Sequence, residues 1–489
     1  MKQTTSKKVS AIISGVDVLN IDGSAETDIE AIYFDSRQVK EKSVFVAIKG
    51  NAEDGNSFIP DAIKNGAKVI VHENICKEKL DGIIYIQVAD SRRALSQMAE
   101  NFYDNPSQKI KLVGVTGTNG KTTTVTLLFN LFSLLGYHVA LLSTIENKID
   151  DQAFQTTHTT PDPLSIASFL SLAVSRGCQY AFMECSSHAL DQKRVFGMHF
   201  AGAIFTNLTH DHLDYHKTLD DYAKAKKELF DMLPKTAFAL ANKDDPKSEY
   251  LLSQTQAKKY FFSLKNNVRS DFVATVKNQT LDGMDLIINN KEVKTQLTGN
   301  FNVYNILSIF ATANLLEIPE ETFIPLMTKL SAPKGRLEFI KSPNGLYGVV
   351  DYAHSPDALS KVLETLRELR GSKSKIITVV GCGGDRDKTK RRPMAEIACS
   401  LSDYVFLTSD NPRNENPEKI LEEMTDDLPQ KNYQSIVSRA LAIKKACDKA
   451  LPGDIVLVSG KGHEQYQIFR DHTVHFSDTE ELQKNFKIK

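Results

Sequence analysis

The chain has 489 residues, more than one hydrophobic core usually organises, so length alone predicts two or three domains. Apolar residues make up 41% and charged residues 25%, as in ordinary globular proteins. A net charge of -1 gives no whole-molecule attraction to nucleic acid or an anionic membrane, so we expect no nucleic-acid partner and any anion site must be local.

Neither the apolar segments of the chain nor the spacing of its cysteines indicates a secreted protein. The N-terminal stretch MKQTTSKKVSAII lacks the apolar core of a signal peptide, and the most apolar helix is interrupted by Asn130 and Ser133. The six cysteines form no C-x-x-C pair, so neither a zinc site nor a disulfide framework is indicated. We expect a cytoplasmic monomer without membrane insertion.

The first hundred residues alternate short β-rich runs (AIYF, SVFVAI, KVIV, IIYIQV) with polar turns and one helical stretch. This pattern predicts a small α/β domain over residues 1–107, ending at the linker-like segment DNPSQK.

From KLVGVT onward, apolar strands alternate with helices, beginning with a helix from Lys121 to Leu135 capped by Gly136. Such alternation predicts a central, mostly parallel sheet of the P-loop NTPase-like kind over residues 108–333. After SAPKGR, the strands GVVDYA, KIITVVG, DYVFLTSD and DIVLVSG alternate again with helices, so a C-terminal Rossmann-like domain is predicted over 334–489. The expected fold class is therefore α/β with three domains.

The stretch GVTGTNGKTTT, residues 114–124, predicts a phosphate cradle although it fails the strict pattern, because Val115 stands where the first glycine belongs. Gly117 and Gly120 allow backbone N–H groups to approach phosphate oxygens, Lys121 supplies a charge, and the Thr122 hydroxyl can reach Mg²⁺. An ordinary glycine-rich turn would not need Gly-Lys-Thr-Thr between a strand and a helix.

The stretch ANKDD, residues 241–245, matches the N-x-x-D signature of guanine readers. A GTPase switch would also need an Asp-x-x-Gly at a strand end, and none occurs between residues 122 and 242. We interpret ANKDD as a turn.

Glu184 stands at the end of the strand YAFMEC, where a carboxylate neighbouring the cradle can hold Mg²⁺. The next strand leads into HDHLDYH, residues 210–216, whose histidines taken alone favour a packed, hydrogen-bonded loop. Lys226 follows in KAKKEL, where a solvated helix face is the plain interpretation.

In the third domain, GCGGDRDKTKRR is a weak dinucleotide fingerprint without an acidic partner, so we reject NAD. Arg386 and Arg413 could each grip a carboxylate and Glu464 could receive an ammonium group, which fits an amino acid. A structural salt-bridge network is an equal alternative on these residues alone.

Together, TGTNGKTT, MECSSHALDQKR, TNLTHDHLDYH, GNFNVYN, DYAHSPD, GCGGDRD, DNPR and GKGHE resemble the Mur ligases of peptidoglycan synthesis, in order and along essentially the whole chain. The N-terminal DSR and the GKGHE favour the member that adds the third residue of the stem peptide. In this family the T-G-T-N-G-K-T cradle does not require glycine at the Val115 position.

The resemblance implies an ATP site and two Mg²⁺ sites. ATP would be held by the cradle and by three residues from elsewhere: Thr116, Gly117, Thr118, Asn119, Gly120, Lys121, Thr122, Asn305, Arg336 and Asp351. Thr122, Glu184 and His212 would bind Mg²⁺, and Lys226 matches the lysine that is carbamylated in the family to hold the second ion. Lys121, Lys226, Glu184 and His212 are therefore the predicted catalytic residues.

The resemblance also implies two substrate sites. The UDP-N-acetylmuramoyl dipeptide would meet Ser36, Asn51, Ala52, Glu53, His158, Thr159, Thr160, Ser186, Gln192 and Arg194, with His158 standing where relatives often carry Asn. The amino-acid pocket would comprise Arg386, Asp410, Asn411, Arg413, Gly460 and Glu464. Relatives that use L-lysine tend to have alanine at the Arg413 position, and meso-2,6-diaminopimelate carries a distal carboxylate that arginine can pair with, so Arg413 predicts diaminopimelate.

The expected reaction is ATP-dependent amide formation at the D-glutamate side-chain carboxylate, through an acyl phosphate. Alternatives are the same ligase using L-lysine, a ligase resembling folylpolyglutamate synthetase, a P-loop switch or motor ATPase, and a non-catalytic Rossmann-like binding module.

Overall fold

The computed structural model describes residues 6–50, 53–74, 79–154, 156, 158–209, 211–265 and 269–488, with the side chains of 213 and 214 excepted. The predicted site residues Asn51 and Ala52, and His210 of the HDHLDYH stretch, lie outside the described residues. The chain divides into two compact units, Met1–Ala274 with Tyr304–Leu326, and Thr275–Val303 with Met327–Lys489. Each is described by itself.

The first unit begins with a five-stranded sheet in the order β2-β7-β6-β5-β4, in which only the edge strand β2 is antiparallel. Its elements are β1 (Lys7–Lys8), α1 (Val9–Ile12), β2 (Val18–Asp22), β3 (Asp28–Ile29), β4 (Ala31–Tyr33), β5 (Ser43–Val46), α2 (Ile59–Lys64), β6 (Ala67–His72), β7 (Ile84–Val88) and α3 (Ser91–Phe102), with 3₁₀ turns at Ser36–Gln38, Gly55–Phe58 and Pro106–Gln108. Valines and isoleucines on β5, β6 and β7 pack against α1 and α3. The predicted small α/β fold at the N-terminus is confirmed.

A second sheet of the first unit runs β11-β10-β9-β12-β8-β13-β14-β15-β16. Its strands are β8 (Lys111–Thr116), β9 (Val139–Leu142), β10 (Asn147–Ile149), β11 (Gln152–Phe154), β12 (Tyr180–Glu184), β13 (Gly202–Phe205), β14 (Phe238–Asn242), β15 (Lys258–Ser263) and β16 (Phe272–Thr280). All neighbours from β9 to β16 pair in parallel. The central strands are buried throughout, which is expected when helices cover both faces of a parallel sheet.

The helices of this region are α4 (Lys121–Leu134), α5 (Pro163–Ser175), α6 (Ser187–Asp191), α7 (Leu213–His216), α8 (Leu219–Asp231), α9 (Ser248–Leu251), α10 (Asn300–Leu315) and α11 (Glu320–Phe323). Gly136 follows the end of α4 with φ +87°, the left-handed conformation of a glycine that ends a helix, as predicted. Side-chain caps begin α5 and α8, where Asp162 accepts from Ser165 N and Thr218 accepts from Asp221 N.

The register of β8 places the site. β8 lies between β12 and β13, with Glu184 beside Val115 and Phe205 beside Thr116. Because all three strands are parallel, their carboxyl ends meet at one edge of the sheet. The cradle, Glu184 and the segment after β13 therefore share that edge.

The second unit contains a six-stranded sheet, β19-β20-β24-β21-β22-β23, in which only β19 is antiparallel. The strands of this sheet are β19 (Glu338–Lys341), β20 (Tyr347–Asp351), β21 (Ile376–Cys382), β22 (Tyr404–Ser409), β23 (Tyr433–Ile436) and β24 (Ile455–Ser459). Two antiparallel hairpins lie outside it: β17 (Gly283–Ile288) with β18 (Lys291–Thr295), and β25 (Tyr466–Ile468) with β26 (Thr473–His475). Its helices are α12 (Pro356–Leu369), α13 (Arg391–Leu401), α14 (Pro417–Thr425), α15 (Arg439–Lys449) and α16 (Asp478–Asn485), and a 3₁₀ turn spans Ile324–Lys329. Apolar clusters cover both faces of the sheet. The Rossmann-like prediction is confirmed.

The predicted α/β class thus holds for the three larger sheets, and the boundaries 1–107, 108–333 and 334–489 stay a prediction. Among the helices that the structure describes, none is both long and apolar enough to cross a membrane.

Candidate active site

The cradle loop, residues 117–120 between β8 and α4, turns at two glycines. Gly117 has φ +152° and Gly120 φ +87°, where L side chains are strained. A Cβ on Gly117 would lie 1.9 Å from Thr206 Oγ1, and a Cβ on Gly120 would lie 2.8 Å from Asn305 Oδ1. Both positions therefore require glycine.

Gly114, the glycine one step too early for the strict pattern, serves another purpose. It lies within β8, where an added Cβ would come 2.9 Å from Phe200 Cε1 and 3.1 Å from Cys185 Sγ. The residue lets an aromatic ring pack against the strand, so its offset from the phosphate-binding pattern is a matter of core packing.

Asn207, which the sequence analysis did not single out, holds the cradle loop. Its backbone oxygen accepts from Thr118 N at 2.7 Å, and its side-chain oxygen accepts from Asn119 N at 3.0 Å. Thr206 Oγ1 also donates to Asn119 O at 2.6 Å. Because the amides of Thr118 and Asn119 are used in this way, the donors for an anion are those of the first turn of α4, which have no partner within the helix.

Two lysine side chains converge on one carbonyl of the cradle. Lys121 Nζ donates to Gly117 O at 2.9 Å and Lys226 Nζ donates to the same oxygen at 2.8 Å. Lys226 is 1% exposed and lies 4.3 Å from the centre of the Tyr222 ring. Burial, and then the charge of Lys121, lower the pKa of Lys226 well below its usual value. The solvated-face interpretation of Lys226 is therefore wrong, because α8 turns this residue toward the cradle.

Glu184 is fully buried at the end of β12. Its carboxylate accepts from Thr144 N at 2.7 Å and from Thr144 Oγ1 at 3.2 Å. Its backbone oxygen accepts from Thr160 Oγ1 at 2.7 Å. The carboxylate is thus fixed in orientation by a neighbouring strand end while keeping oxygen lone pairs for a cation.

The histidines after β13 differ from one another. His212 has φ +53°, and its ring packs edge-on against His188 with centroids 4.9 Å apart. Burial lowers the pKa of His212 to about 4, so its imidazole is neutral near pH 7. His216 is buried and its Nε2 lies 2.9 Å from Ser187 Oγ, which agrees with the packing interpretation for that residue.

The oxygen donors near the cradle fit a Mg²⁺ ion that has only a few protein ligands. Within the described residues no three His, Cys, Asp or Glu side chains form a metal-binding group, so nucleotide phosphates and water would have to complete the coordination. The Glu184 carboxylate and the Thr122 hydroxyl are hard oxygen donors of the kind Mg²⁺ takes. Thr116 Oγ1 is buried without a hydrogen-bond partner in the described chain, as expected for a polar atom at a ligand-binding edge.

Five predicted substrate residues form one polar network with Glu184. Arg194 donates from Nη1 to Thr160 O at 2.6 Å and from Nη2 to Gln192 Oε1 at 2.7 Å. Ser186 N donates to Thr160 Oγ1 at 3.0 Å. Thr159 Oγ1 lies 3.1 Å from Thr144 Oγ1, the group that also contacts Glu184. The structure therefore brings these residues to the carboxyl edge of the sheet.

The remaining predicted dipeptide-site residues make local contacts. Ser36 is buried and its backbone oxygen accepts from Asn65 Nδ2 at 2.9 Å. Glu53 accepts through its backbone oxygen from Gly50 N at 2.9 Å, and His158 accepts through its own from Thr156 Oγ1 at 2.8 Å. These contacts shape two loops and leave their binding roles as predictions.

In the second unit, Arg413 and Arg386 flank a glycine turn. Arg413 Nη1 donates to Gly384 O at 2.8 Å, and a Cβ on Gly383 would lie 2.9 Å from that nitrogen and 3.7 Å from Arg386 Cγ. Gly383 thus makes room for the Arg413 guanidinium, and a Cβ on Gly384 would lie 1.9 Å from Pro412 O. These two glycines allow the turn to pack closely against the segment after β22.

The strand ends after β22 and β24 meet as predicted. Asn411 Nδ2 donates to Glu464 Oε2 at 2.9 Å, and a Cβ on Gly460 would lie 3.0 Å from Asp410 Oδ2. Lys461, which the sequence analysis passed over within GKGHE, is fully buried and donates to Glu464 Oε2 at 2.9 Å. In the sequence, the feature that could have singled out Lys461 is its position between Gly460 and Gly462.

Arg336 and Asp351, predicted to contribute to the ATP site, lie in the second unit. Asp351 accepts from Leu337 N and Ala353 N, each at 2.7 Å, and burial raises the pKa of its carboxyl. Arg336 lies 4.5 Å from the Tyr352 ring centre, with a buried Nε that has no partner in the described chain. Asp351 therefore shapes the loop that carries Arg336. The third residue predicted to contribute to the ATP site, Asn305, lies in the first unit beside the cradle, where it accepts from Thr124 Oγ1 at 3.5 Å.

The turn interpretation of ANKDD is confirmed. Asn242 Nδ2 donates to Thr206 O at 2.9 Å, and Asp245 accepts from Leu208 N at 2.7 Å and from Lys247 N at 2.9 Å. Side chains engaged in these contacts hold β14 to the segment after β13, which leaves them unsuited to reading a base.

Comparison with known proteins gives matches along the chain. Residues 28–103 match the family described as Mur ligase family, catalytic domain; 115–313 match Mur ligase middle domain; and 335–462 match Mur ligase, glutamate ligase domain. The chain is 48% identical over 475 residues to UDP-N-acetylmuramoyl-L-alanyl-D-glutamate--2,6-diaminopimelate ligase of Cytophaga hutchinsonii, covering 96% of this chain and 97% of that protein.

Solved structures give the same result. A structure of UDP-N-acetylmuramoyl-L-alanyl-D-glutamate--2,6-diaminopimelate ligase superposes with a TM-score of 0.72 at 31% identity, covering 99% of each chain. The MurF ligase from Thermotoga maritima in complex with ADP shares the fold with a TM-score of 0.58 at 20% identity, covering 94% of this chain and 97% of that one. With a relative at 48% identity spanning nearly its whole length, the chain belongs to the Mur ligase family.

Proposed function

We propose that this chain is an ADP-forming ligase that joins meso-2,6-diaminopimelate to the D-glutamate side-chain carboxylate of UDP-N-acetylmuramoyl-L-Ala-D-Glu. The observation that carries the proposal is the match at 48% identity, over 96% of the chain, with a relative named for this reaction. Members of the Mur ligase family use ATP, and a fold neighbour was solved with ADP.

The chemistry requires activation of an acid. A carboxylate cannot expel oxide when an amine attacks, so ATP first transfers its γ-phosphoryl group to the glutamate oxygen. The amine then attacks the acyl carbon, the carbon–oxygen bond to phosphate breaks, and the amine loses a proton. Peptidoglycan synthesis would use the resulting amide-linked tripeptide.

Electrostatics is the main obstacle, because a carboxylate must approach a triphosphate. Lys121 and the first turn of α4 supply positive charge at the cradle, as the convergence of Lys121 on Gly117 O supports. Bound Mg²⁺ would add charge neutralisation, with Thr122, Glu184, His212 and a carbamylated Lys226 as the side chains that would hold two ions.

Carbamylation of Lys226 is part of the proposal. Only a neutral amine attacks CO₂, and burial beside Lys121 favours the neutral amine of Lys226. Its nitrogen would bond to the carbon of CO₂ and release one proton, which turns a potential cation into an anion. Carbon-13 NMR of protein equilibrated with ¹³CO₂ tests this step: a carbamate resonance missing from Lys226→Ala supports it, and an identical spectrum contradicts it.

Selection of diaminopimelate is assigned to Arg413. Its Nη1 lies at the Gly383–Gly384 turn, where it donates to Gly384 O at 2.8 Å and to Asn411 O at 3.4 Å. A bidentate arginine suits the distal carboxylate that L-lysine lacks. Two alternatives to the proposed function are the same ligase using L-lysine and a ligase resembling folylpolyglutamate synthetase.

A phosphate-release assay tests the proposal. Purified protein receives ATP, the UDP-muramoyl dipeptide and either meso-diaminopimelate, L-lysine or no amino acid, with a folate as a substitute acceptor in parallel. Phosphate release that requires the dipeptide and is fastest with meso-diaminopimelate supports the assignment. Faster release with L-lysine, activity on the folate, or full-speed ATP consumption without an acceptor acid contradicts it.

The assigned residue roles, the three domain boundaries, the monomeric state and the cytoplasmic location remain proposals. Size-exclusion chromatography with light scattering tests the monomeric state. A mass of 54.5 kDa, that of one chain, supports the monomer.

A further inference from the structure

We propose that Lys461 is a positioning residue for the amino-acid pocket, holding Asn411 and Glu464 in the orientation that receives an ammonium group. The inference rests on the proposed function and deepens its account of specificity. Lys461 lies in the loop after β24, between Gly460 and Gly462, and it takes no part in the chemistry described above.

Burial distinguishes this lysine from its partners. The Lys461 side chain is 0% exposed, whereas those of Asp410 and Glu464 are 12% and 17% exposed. A charge withdrawn from solvent needs partners, and Lys461 finds Glu464 Oε2 at 2.9 Å and Asp410 Oδ1 at 4.0 Å. The carboxylates therefore keep a face toward solvent while the ammonium lies behind them.

Hydrogen bonding fixes the orientation of Asn411. Its Oδ1 accepts from Lys461 Nζ at 3.1 Å and from Ile468 N at 3.0 Å, so its Nδ2 is directed at Glu464 Oε2 at 2.9 Å. Without the ammonium, one of the two donors that set the direction of this amide is lost. Lys461 thus determines which end of Asn411 meets the carboxylate.

The same contacts orient Glu464. Both Lys461 Nζ and Asn411 Nδ2 bond to its Oε2, while Oε1 has no hydrogen-bond partner in the described part of the chain. One oxygen is therefore anchored and the other remains for a ligand. An incoming ammonium group matches a carboxylate oxygen presented in this way.

Charge balance supports the same conclusion. The carboxylates of Asp410 and Glu464 lie against the single ammonium of Lys461, so these three groups together carry one net negative charge that can meet the ammonium of a substrate. The two carboxylates would repel each other if the lysine were absent. Lys461 therefore sets both the geometry and the net charge of this side of the pocket.

The test is steady-state kinetics of Lys461→Met with all three substrates varied. The KM for meso-diaminopimelate should rise roughly 10- to 100-fold, the loss expected when charged hydrogen bonds are removed. The KM values for ATP and the UDP-muramoyl dipeptide should change less than about twofold and kcat less than about threefold, since those substrates use other groups. Lys227→Met is the matched control, a lysine 6% exposed whose Nζ pairs with Asp231 at 2.6 Å, and its three KM values should match the wild type.

Each outcome decides the matter. A folded Lys461→Met with an unchanged KM for diaminopimelate, or with equal losses for all three substrates, overturns the positioning role. If that variant does not fold by circular dichroism, Lys461→Gln replaces it, because an amide can still donate to one partner; a selective but smaller rise supports the proposal, and failure of both variants to fold overturns it. Inactive wild-type protein with diaminopimelate would instead count against the proposed function itself.

Discussion

Lys226 and Lys461 are the most deeply buried lysines in the part of the chain that the structure describes, and their surroundings are opposite. Lys226, beside the cradle, is 1% exposed and donates to the carbonyl of Gly117, with a second lysine on the same oxygen. Lys461, in the amino-acid pocket, is 0% exposed and lies against two carboxylates.

The difference shows how burial can serve two ends. A buried lysine without a hydrogen-bonded carboxylate loses its proton easily, and the pKa of Lys226 is indeed lowered by burial and by Lys121. A neutral amine can react, whereas an ammonium held by carboxylates can orient them. The first lysine is thus suited to chemical modification and the second to positioning.

The largest effect is expected at the cradle. Lys121→Ala removes the flexible cation at the start of α4, and ligation should fall at least about a thousandfold because charge on the transferred phosphoryl group goes uncompensated. Thermal unfolding should match the wild type. Lys148→Ala, which removes a lysine whose side chain is 26% exposed, is the control and should stay active. Retention of more than a tenth of the activity in Lys121→Ala would exclude this lysine from the chemistry.

A second comparison uses neighbouring residues of α8. Lys226→Ala should lower kcat by about a hundredfold and regain part of it with short carboxylic acids, which can replace a carbamate. Lys227→Ala removes a buried lysine paired with Asp231 and should have only a small effect. Phosphate release measured with and without added acetate tests the pair. Full activity of Lys226→Ala would remove this lysine from the site.

The amino-acid pocket should respond more selectively. Arg413→Ala should raise the KM for meso-diaminopimelate roughly 10- to 50-fold while changing any turnover of L-lysine little, since only diaminopimelate has the distal carboxylate. Arg392→Ala, an exposed arginine near Asp427, is the control. Equal losses with both amino acids would indicate a general defect and contradict the specificity role.

The smallest effect concerns stability and pH. Burial, with the charges of Arg336 and Lys461, lowers the pKa of His463 to about 4. In the unfolded chain the pKa of His463 has its ordinary value near 6.5, so between pH 6.5 and pH 4 the unfolded state binds more protons than the folded state. The contribution of the neutral His463 to folding stability is therefore fully present above pH 6.5 and is lost as the pH falls toward 4. Between pH 7 and pH 4.5, the free energy of unfolding of the second unit in urea should fall by about 1–3 kcal/mol less in His463→Asn than in the wild type. Parallel curves would show that this histidine does not titrate abnormally.

Much of this arrangement was predictable from local pattern. The strand–loop–helix around Gly120, the helix ending at Gly136 and the alternation in the last third all follow from apolar runs and glycine placement. The meeting of DNPR and GKGHE followed from their place at strand ends.

Other features depended on tertiary packing that no local pattern reports. The burial of Lys226 depends on which face of α8 meets the cradle, and its spacing alone fitted a solvated helix equally well. Asn207 holds Thr118 and Asn119 across 89 and 88 positions of sequence, respectively, and Lys461 reaches Asn411 across 50. Such pairings are set by strand order and register, which single residues do not reveal.

Activation of the substrate acid by ATP can be followed through the oxygen atoms of its carboxylate. The D-glutamate side-chain carboxylate of the UDP-muramoyl dipeptide is labelled with ¹⁸O, and the phosphate released during ligation is analysed by mass spectrometry. An acyl phosphate predicts one ¹⁸O atom in each phosphate, because the carbon–oxygen bond of the carboxylate breaks when the amine attacks. Phosphate free of ¹⁸O in the presence of the amide product would show that the acid is not phosphorylated during ligation.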